Sequence, residues 1–404
     1  MELRSSPTRR RRGWYGAVAG MLLVAASLAP QAVPADAMRA ALPLTSIRMM
    51  TTRIGWSVSN RVVFRTTDGA RNWTDVMPCG LPQRYQMAAD FLSGTDAWIA
   101  VSPAVLPKTN AIQRGPVTVF RTTNGGRTWQ QARMPVQGSV EPFSDLTFAN
   151  RHDGWFWLDA GTMAVPYFIL LRTVDGGLHW TRVLAAGPGR RSAVMFPSCN
   201  CGRAITFLDG RTGWATGSFF APSATSGPFL WVTRDSGRQW QRQRLPLPNG
   251  YHASQTYPPL FFGHAEGILP VQLVRGKSAD VLDAYVTHDG GMSWRNTTPL
   301  VLPEVAQVGS IPIFSFADRF HGWASNGSDL YRTTDGGRHW VQPRARGIRS
   351  VIAQLDFVGS ATGFAVMRFI SGGSPPYLRK TGNGGRSWRT VPSYSSSLPL
   401  HRCL

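Results

Sequence analysis

Apolar residues come along this chain in short bursts separated by turn residues, and three of their positions recur in step. A glycine-aromatic burst reads "IGWSV", "DAWIA", "DGWFW", "TGWAT", "EGILP", "HGWAS" and "TGFAV", which sets Trp56, Trp98, Trp155, Trp214, Ile268, Trp323 and Phe364 in equivalent places. Seven residues before each stand Met49, Phe91, Phe148, Phe207, Phe261, Phe316 and Phe357. A third register, Thr-x-Asp-x-Gly-x-x-Trp, ends at Trp73, Trp129, Trp180, Trp240, Trp294, Trp340 and Trp388, at intervals of 46 to 60 residues. Short bursts bounded by turn residues predict strands, and a repeat of this period predicts a propeller. Each unit reads as strand A around the Phe, strand B through the Gly-Trp pair, strand C ending at the box Thr, a tight turn, and strand D through a buried box Trp. The expectation is an all-β protein: one seven-bladed propeller of four-stranded antiparallel blades over residues 44–393, with a short tail at 394–404.

Composition agrees with that pattern. The 404 residues include 42 Gly, 29 Pro and 15 Trp, and the 43% hydrophobic content suffices for one large core. The first 37 residues follow a different grammar. Arg9 to Arg12 precede a run of about 13 apolar residues and then Ala35-Asp36-Ala37, the three parts of an export signal, and the run is short for a membrane span. Residues 1–37 are therefore expected to act as a signal peptide or an N-terminal anchor, and the rest to work outside the cytoplasm.

The recurring acid of the box asks whether it does chemistry. A carboxylate at the start of a tight turn can accept several backbone N–H bonds, while a glycine supplies the positive φ. Asp68, Asp175, Asp235, Asp289 and Asp335 occupy the position, but Asn124 and Asn383 occupy it in two repeats. An amide oxygen accepts the same bonds and cannot act as an acid or base, so the position is read as structural. The first box also departs from the pattern at Ala70, where its turn is expected to be strained or less regular.

These boxes resemble Asp-box (BNR) repeats, and the coupling of "GWA" with "RTTDGGxxW" resembles the propellers of the photosystem II stability and assembly factor family. The resemblance covers nearly all of the chain after residue 37. It implies a non-enzymatic scaffold that binds proteins during assembly of a membrane complex. The box alone also occurs in sialidases and other glycosidases, which makes a carbohydrate-active propeller the alternative.

The residues favour the scaffold. A sialidase's Arg-Ile-Pro element is missing, and after residue 37 only Glu141, Glu266 and Glu304 remain as glutamates. A glycosidase needs two facing carboxylates. Asp90, Asp145, Asp209, Asp318 and Asp356 fall in or just after strand A, where they could line the central channel but are more simply read as turn and strand-end caps. No nucleophile elbow, phosphate-binding loop or His-Glu-x-x-His zinc motif occurs, so no catalytic residue, cofactor or metal site is expected.

Charge points to a partner. The chain carries a net +21, and removing residues 1–37 leaves 38 basic and 20 acidic side chains. For an exported protein this suggests an acidic segment of a membrane-associated protein, with peripheral membrane association, rather than nucleic acid. The D–A connectors "GPGRRS" and "PRARGIRS" put Arg190, Arg191, Arg344, Arg346 and Arg349 on one rim, on the face shared with the long B–C loops. Arg65, Arg121, Arg172 and Arg332 precede the boxes, with Arg71, Arg127, Arg238, Arg338 and Arg386 inside them. This belt follows the repeat and is read chiefly as stems packing on neighbouring strands. Cys79, Cys199, Cys201 and Cys403 each follow a strand D. In an exported chain they are expected to pair, as Cys79 with Cys403 or as either with the long 184–204 loop. A monomer is expected.

Overall fold

The computed structural model describes residues 44, 46–59, 61–103, 115–138, 145–159, 168–186, 204–218, 228–275, 278–302, 313–343, 350–369, 375–392 and 394–395. The chain divides into Met1–Met38 and Arg39–Leu404, and the described residues all belong to the second unit. Among them there is no helix, and none is long and apolar enough to cross a membrane.

Seven sheets follow one another along the chain, ordered A-B-C-D from the inside outward, although in blade 5 the A position is split between His252–Thr256 and Leu260–Phe261, both paired with Gly267–Arg275. The third is representative: Asp145–Phe148, Gly154–Asp159, Phe168–Thr173 and Thr181–Ala186. The fold is thus the seven-bladed, all-β propeller that the registers predict. Blade 6 departs in detail, since its strands Ile313–Phe316, Gly322–Ser325 and Leu330–Thr333 are followed by a single bridge from Val341 to Arg332. Pro343 comes two residues later and has no N–H to extend the ladder. At the other end of the chain, Tyr394–Ser395 does not hang free as a tail. It pairs parallel with Asn72 and Trp73 on the outer edge of blade 1, so the chain's last described residues latch the ring to its first blade.

The three registers converge at the seams between blades. The strand-B Trp of one blade stacks on the strand-A Phe of the next: Trp98 on Phe148 at 3.7 Å, Trp155 on Phe207 at 3.5 Å and Trp323 on Phe357 at 3.5 Å between ring centroids. The box Trp of that next blade then meets the same Phe edge-on, as Trp180, Trp240 and Trp388 do. Stacked and edge-to-face pairs add to what burial alone supplies, so these three seams are aromatic wedges. Where a glycine precedes the strand-B ring it lies directly beneath the strand-A side chain of its own blade, and blade 2 has Ala97 in that place. A Cβ at Gly154, Gly213 or Gly322 would come within 2.4 Å of Phe148, Phe207 or Phe316. Five box Trp side chains are buried as expected. Trp129 and Trp340 are only half-buried: Trp129 turns toward blade 1 to donate to the Val76 carbonyl at 2.7 Å, and Trp340 lies on the blade whose outer strand is a single bridge.

Candidate functional site

The box turns share one geometry whether the acid or the amide is present. The box Thr Oγ1 donates to Oδ1 of Asp68, Asn124, Asp175, Asp235, Asp289, Asp335 or Asn383 at 2.7–3.0 Å. The same Oδ1 accepts a backbone N–H four residues on, for example from Thr128 at 3.0 Å and from His339 at 2.9 Å. Burial opposes ionisation at Asp175 and Asp289, but these hydrogen bonds outweigh it and hold both carboxyls down to about 2. Ala70 sits in the first box at φ 73°, the left-handed conformation that its counterparts Gly126, Gly177 and Gly337 adopt without a Cβ. The box position is a turn former, with no proton to exchange near neutral pH.

The Arg residues before the boxes are seam clamps. Arg65, Arg121, Arg172 and Arg332 lie over Trp56, Trp98, Trp155 and Trp323 at 5.6–5.9 Å. Each reaches a carbonyl of the following blade: Gly94 at 2.9 Å, Asp175 at 3.2 Å, Gly210 at 3.1 Å and Ser360 at 3.4 Å. Part of the basic belt is therefore committed to holding blades together.

The central channel presents the second cluster. Its cavity of about 930 Å³ is lined by strand-A residues that include Arg48, Ser315 and Asp356. Asp90, Asp145 and Asp356 do not cap turns as expected. Each instead reaches across a seam to the next inner strand. Asp90 accepts the Phe148 N–H at 2.7 Å, Asp145 accepts that of Ile205 at 2.7 Å, and Asp356 accepts that of Met49. Ser315 and Gln354 do the same for Phe357 and Ile47, both at 2.9 Å. Among the described residues strand A forms no ladder with its neighbours in adjacent blades, so side chains supply the acceptors that a continuous sheet would have provided. Burial raises all three carboxyls, Asp90 to about 6, Asp145 to about 7 with a contribution from Asp90, and Asp356 to about 6; the Arg48 charge tempers the rise at Asp90 and Asp356. Asp209 and Asp318 do cap the A–B turns, accepting from Thr212 and His321. Glu266 sits on the box side, with His288 at 2.8 Å and Arg319 at 3.4 Å.

Sequence reasoning missed Arg48, Ser315 and Gln354, although a signal exists. Asp90, Ser315 and Asp356 immediately precede the strand-A register residue, and Asp145 and Gln354 stand three before it. The rim residues Arg190, Arg191, Arg344, Arg346 and Arg349 lie outside the described residues, as do Cys199, Cys201 and Cys403. Cys79 is disulfide-bonded. Among the described residues no group of three or more His, Cys, Asp or Glu side chains could hold a metal.

No protein-family model matches the chain. In sequence it is 26% identical over 241 residues to a probable oligoxyloglucan-reducing end-specific xyloglucanase of Neosartorya fischeri, an alignment that takes in 54% of this chain and 26% of that protein. A counterpart from Emericella nidulans is 25% identical over 186 residues, 44% of this chain and 21% of that protein. The chain thus spans about a quarter of the length of the curated relatives it matches. In structure it resembles YCF48 from Cyanidioschyzon merolae, with a TM-score of 0.53 at 16% identity over 85% of this chain and 96% of that one. YCF48 bound to a D1 peptide gives 0.51 at 14% identity, over 86% and 92%. The GH74 xyloglucanase from Xanthomonas campestris gives 0.54 at 16% identity, over 88% of this chain and 55% of that one. The chain shares its propeller fold with YCF48 and with a GH74 xyloglucanase.

Proposed function

We propose that this protein is an exported, non-enzymatic scaffold that holds a protein partner through an acidic segment, on the face of the propeller formed by its D–A and B–C loops. The observation that carries this reading is the use already made of the channel carboxylates. Asp90, Asp145 and Asp356 each accept a backbone N–H of the next blade, an arrangement that closes the ring. A glycosidase acid and base must instead face the scissile bond from opposite sides. The excess of arginine supports a partner of opposite charge, with Arg190, Arg191, Arg344, Arg346 and Arg349 as the contact residues, because such a rim speeds encounter and fixes orientation. A propeller of the same fold, YCF48, has been solved with a D1 peptide bound, which supports a peptide as the ligand class. The role in assembling a membrane complex, photosystem II in a photosynthetic organism, rests on the resemblance of the repeats. The protein works as a monomer in the cell envelope or a lumen, in peripheral association with the membrane.

The sequence similarity to xyloglucanases favours a second reading, a carbohydrate-active propeller. The two separate in one experiment. The purified mature protein is incubated with xyloglucan oligosaccharides and sialosides, and in parallel its tagged form is used for capture from solubilised membranes of its own cells. The scaffold reading expects no reducing sugar above blank and recovery of a defined membrane protein. Release of sugar at a catalytic rate overturns it.

A further inference from the structure

Among the described residues, six of the seven seams are filled by a strand-B ring: Trp56, Trp98, Trp155, Trp214, Trp323 and Phe364. In five of them a strand-C cation lies over that ring, with Lys380 over Phe364 at 4.9 Å standing where the others have Arg. Between blades 4 and 5, where Val232 replaces the cation, Gln243 bonds both the Trp214 Nε1 and the Gly291 carbonyl. The seam between blades 5 and 6 has neither part. Ile268 stands at the ring position and Val286 at the cation position.

The missing groups leave a space and two unclaimed acceptors. A cavity of about 220 Å³ opens there, walled by Ile268 and Val286 on one side and Phe320 and Gly336 on the other, with Glu266 and Arg319 at its edge. In other seams the indole N–H goes to the middle of the next box: Trp98 to Gly176 O at 2.8 Å, Trp155 to Ser236 O at 3.0 Å and Trp323 to Gly384 O at 3.0 Å. The equivalent carbonyl of blade 6 is Gly336 O. Arg65, Arg172 and Arg332 reach the A–B turn carbonyls of Gly94, Gly210 and Ser360, and the equivalent in blade 6 is Arg319 O. No described side chain donates to either carbonyl. The backbone frame of an indole site is therefore complete while no strand-B residue supplies the indole, Trp340 of blade 6 packing edge-on to Phe316 instead, and Phe320, 44% exposed, stands beside the space.

We propose that the seam between blades 5 and 6 binds a planar aromatic ring with an N–H donor, of the indole type, seated between Ile268 and Phe320 with its N–H on the Gly336 carbonyl. The fold supplies the template, since the same backbone holds an indole with a donated N–H at three other seams. A ring without the donor gains the apolar burial and leaves the carbonyl unsatisfied, which selects for the N–H. The Glu266 carboxylate is already hydrogen-bonded to His288 and paired with Arg319, and Asp335 at the same cavity is held in its box turn by Thr333 and His339.

The test is a titration of the mature protein with indole, N-methylindole and N-acetyltryptophanamide, followed by calorimetry and by ligand-detected saturation-transfer NMR. Indole should bind saturably and N-methylindole roughly tenfold more weakly, the loss expected for one buried acceptor left unpaired. The double variant Ile268→Trp/Val286→Arg rebuilds the clamp and should abolish binding while raising Tm. If that variant does not fold, Ile268→Phe fills the same space and serves in its place. Comparable binding of N-acetyltryptophanamide assigns the site to the Trp side chain of a partner polypeptide. Binding of indole without it assigns the site to a free ring compound, and either result supports the proposal. Absence of saturable indole binding, equal affinity for N-methylindole, or undiminished binding to a folded filled variant overturns it.

Discussion

Replacing Asp356 by Asn should make the protein more stable at pH 8 and leave it nearly unchanged at pH 3.5. Asp356 is 6% exposed, accepts the Met49 N–H across the seam between the last blade and the first, and faces Arg48 in the channel. Burial lifts its carboxyl from 3.8 to about 6, against the attraction of Arg48. A group raised in the folded state contributes stability that is fully present below the unfolded value and is lost as pH rises through the folded one. A tenfold change in proton affinity is worth about 1.4 kcal/mol, so ionisation costs the fold about 3 kcal/mol between pH 4 and pH 7. An Asn retains the acceptor for Met49 and cannot ionise. Urea denaturation of both forms between pH 3.5 and pH 8 should show a difference near zero at the acid end, rising through pH 5–6 to about 3 kcal/mol in favour of the variant. A variant Asp356→Asn that is less stable at pH 8 than at pH 3.5 relative to wild type would refute this role for burial. The ionised carboxylate with Arg48 would then be what holds the seam.

Three further outcomes follow from the contacts described. Asp335→Ala should lower stability by about 1–2 kcal/mol through lost turn bonds, whereas Asp335→Asn should fall within about 0.5 kcal/mol of wild type because Asn124 and Asn383 make the same bonds, and thermal melts of the pair distinguish them. Trp155→Ala should cost about 3–5 kcal/mol by calorimetry, since it empties a fully buried site, while Trp155→Phe keeps the stack on Phe207 and loses the bond to Ser236 O, for about 1–2 kcal/mol. Cys79→Ser should lower stability by about 2–5 kcal/mol in oxidising buffer, and the difference should vanish once wild type is reduced, as denaturant melts with and without reductant would report.

The repeat made the architecture legible because each register does one physical job at every seam. Phe207 is flanked by Trp155 and Trp240, and those three positions are what the sequence repeats. The box acid was legible as structural because Asn124 and Asn383 substitute for it. What escaped was the third dimension: nothing in the spacing of Asp90 or Asp356 says that the nearest unpaired N–H belongs to another blade. The cation belt was legible as packing, but its carbonyl partners, such as Gly94 for Arg65, lie in the next blade's turn and follow no local signal. Ile268 and Val286 were visible as breaks in two registers, and only the seam geometry joins the breaks into one cavity. The rim arginines come from connectors on which the blade pattern places no constraint, so their composition is readable and their mutual placement is not.

On the proposed function, the loop-face arginines capture an acidic segment. The most direct measurement of this is the affinity of the mature protein for an aspartate-rich peptide, in wild type and in the Arg344→Glu/Arg346→Glu/Arg349→Glu variant, at low and at physiological salt. Exposed charges are screened beyond about 8 Å at physiological ionic strength, so wild-type affinity should fall as salt is added. The triple variant should lose the peptide at both salt levels while its thermal stability stays within about 0.5 kcal/mol of wild type, because the blade pattern imposes no residue type on that connector. Capture of the same peptide by the folded triple variant at low salt, with wild-type affinity, would contradict the account.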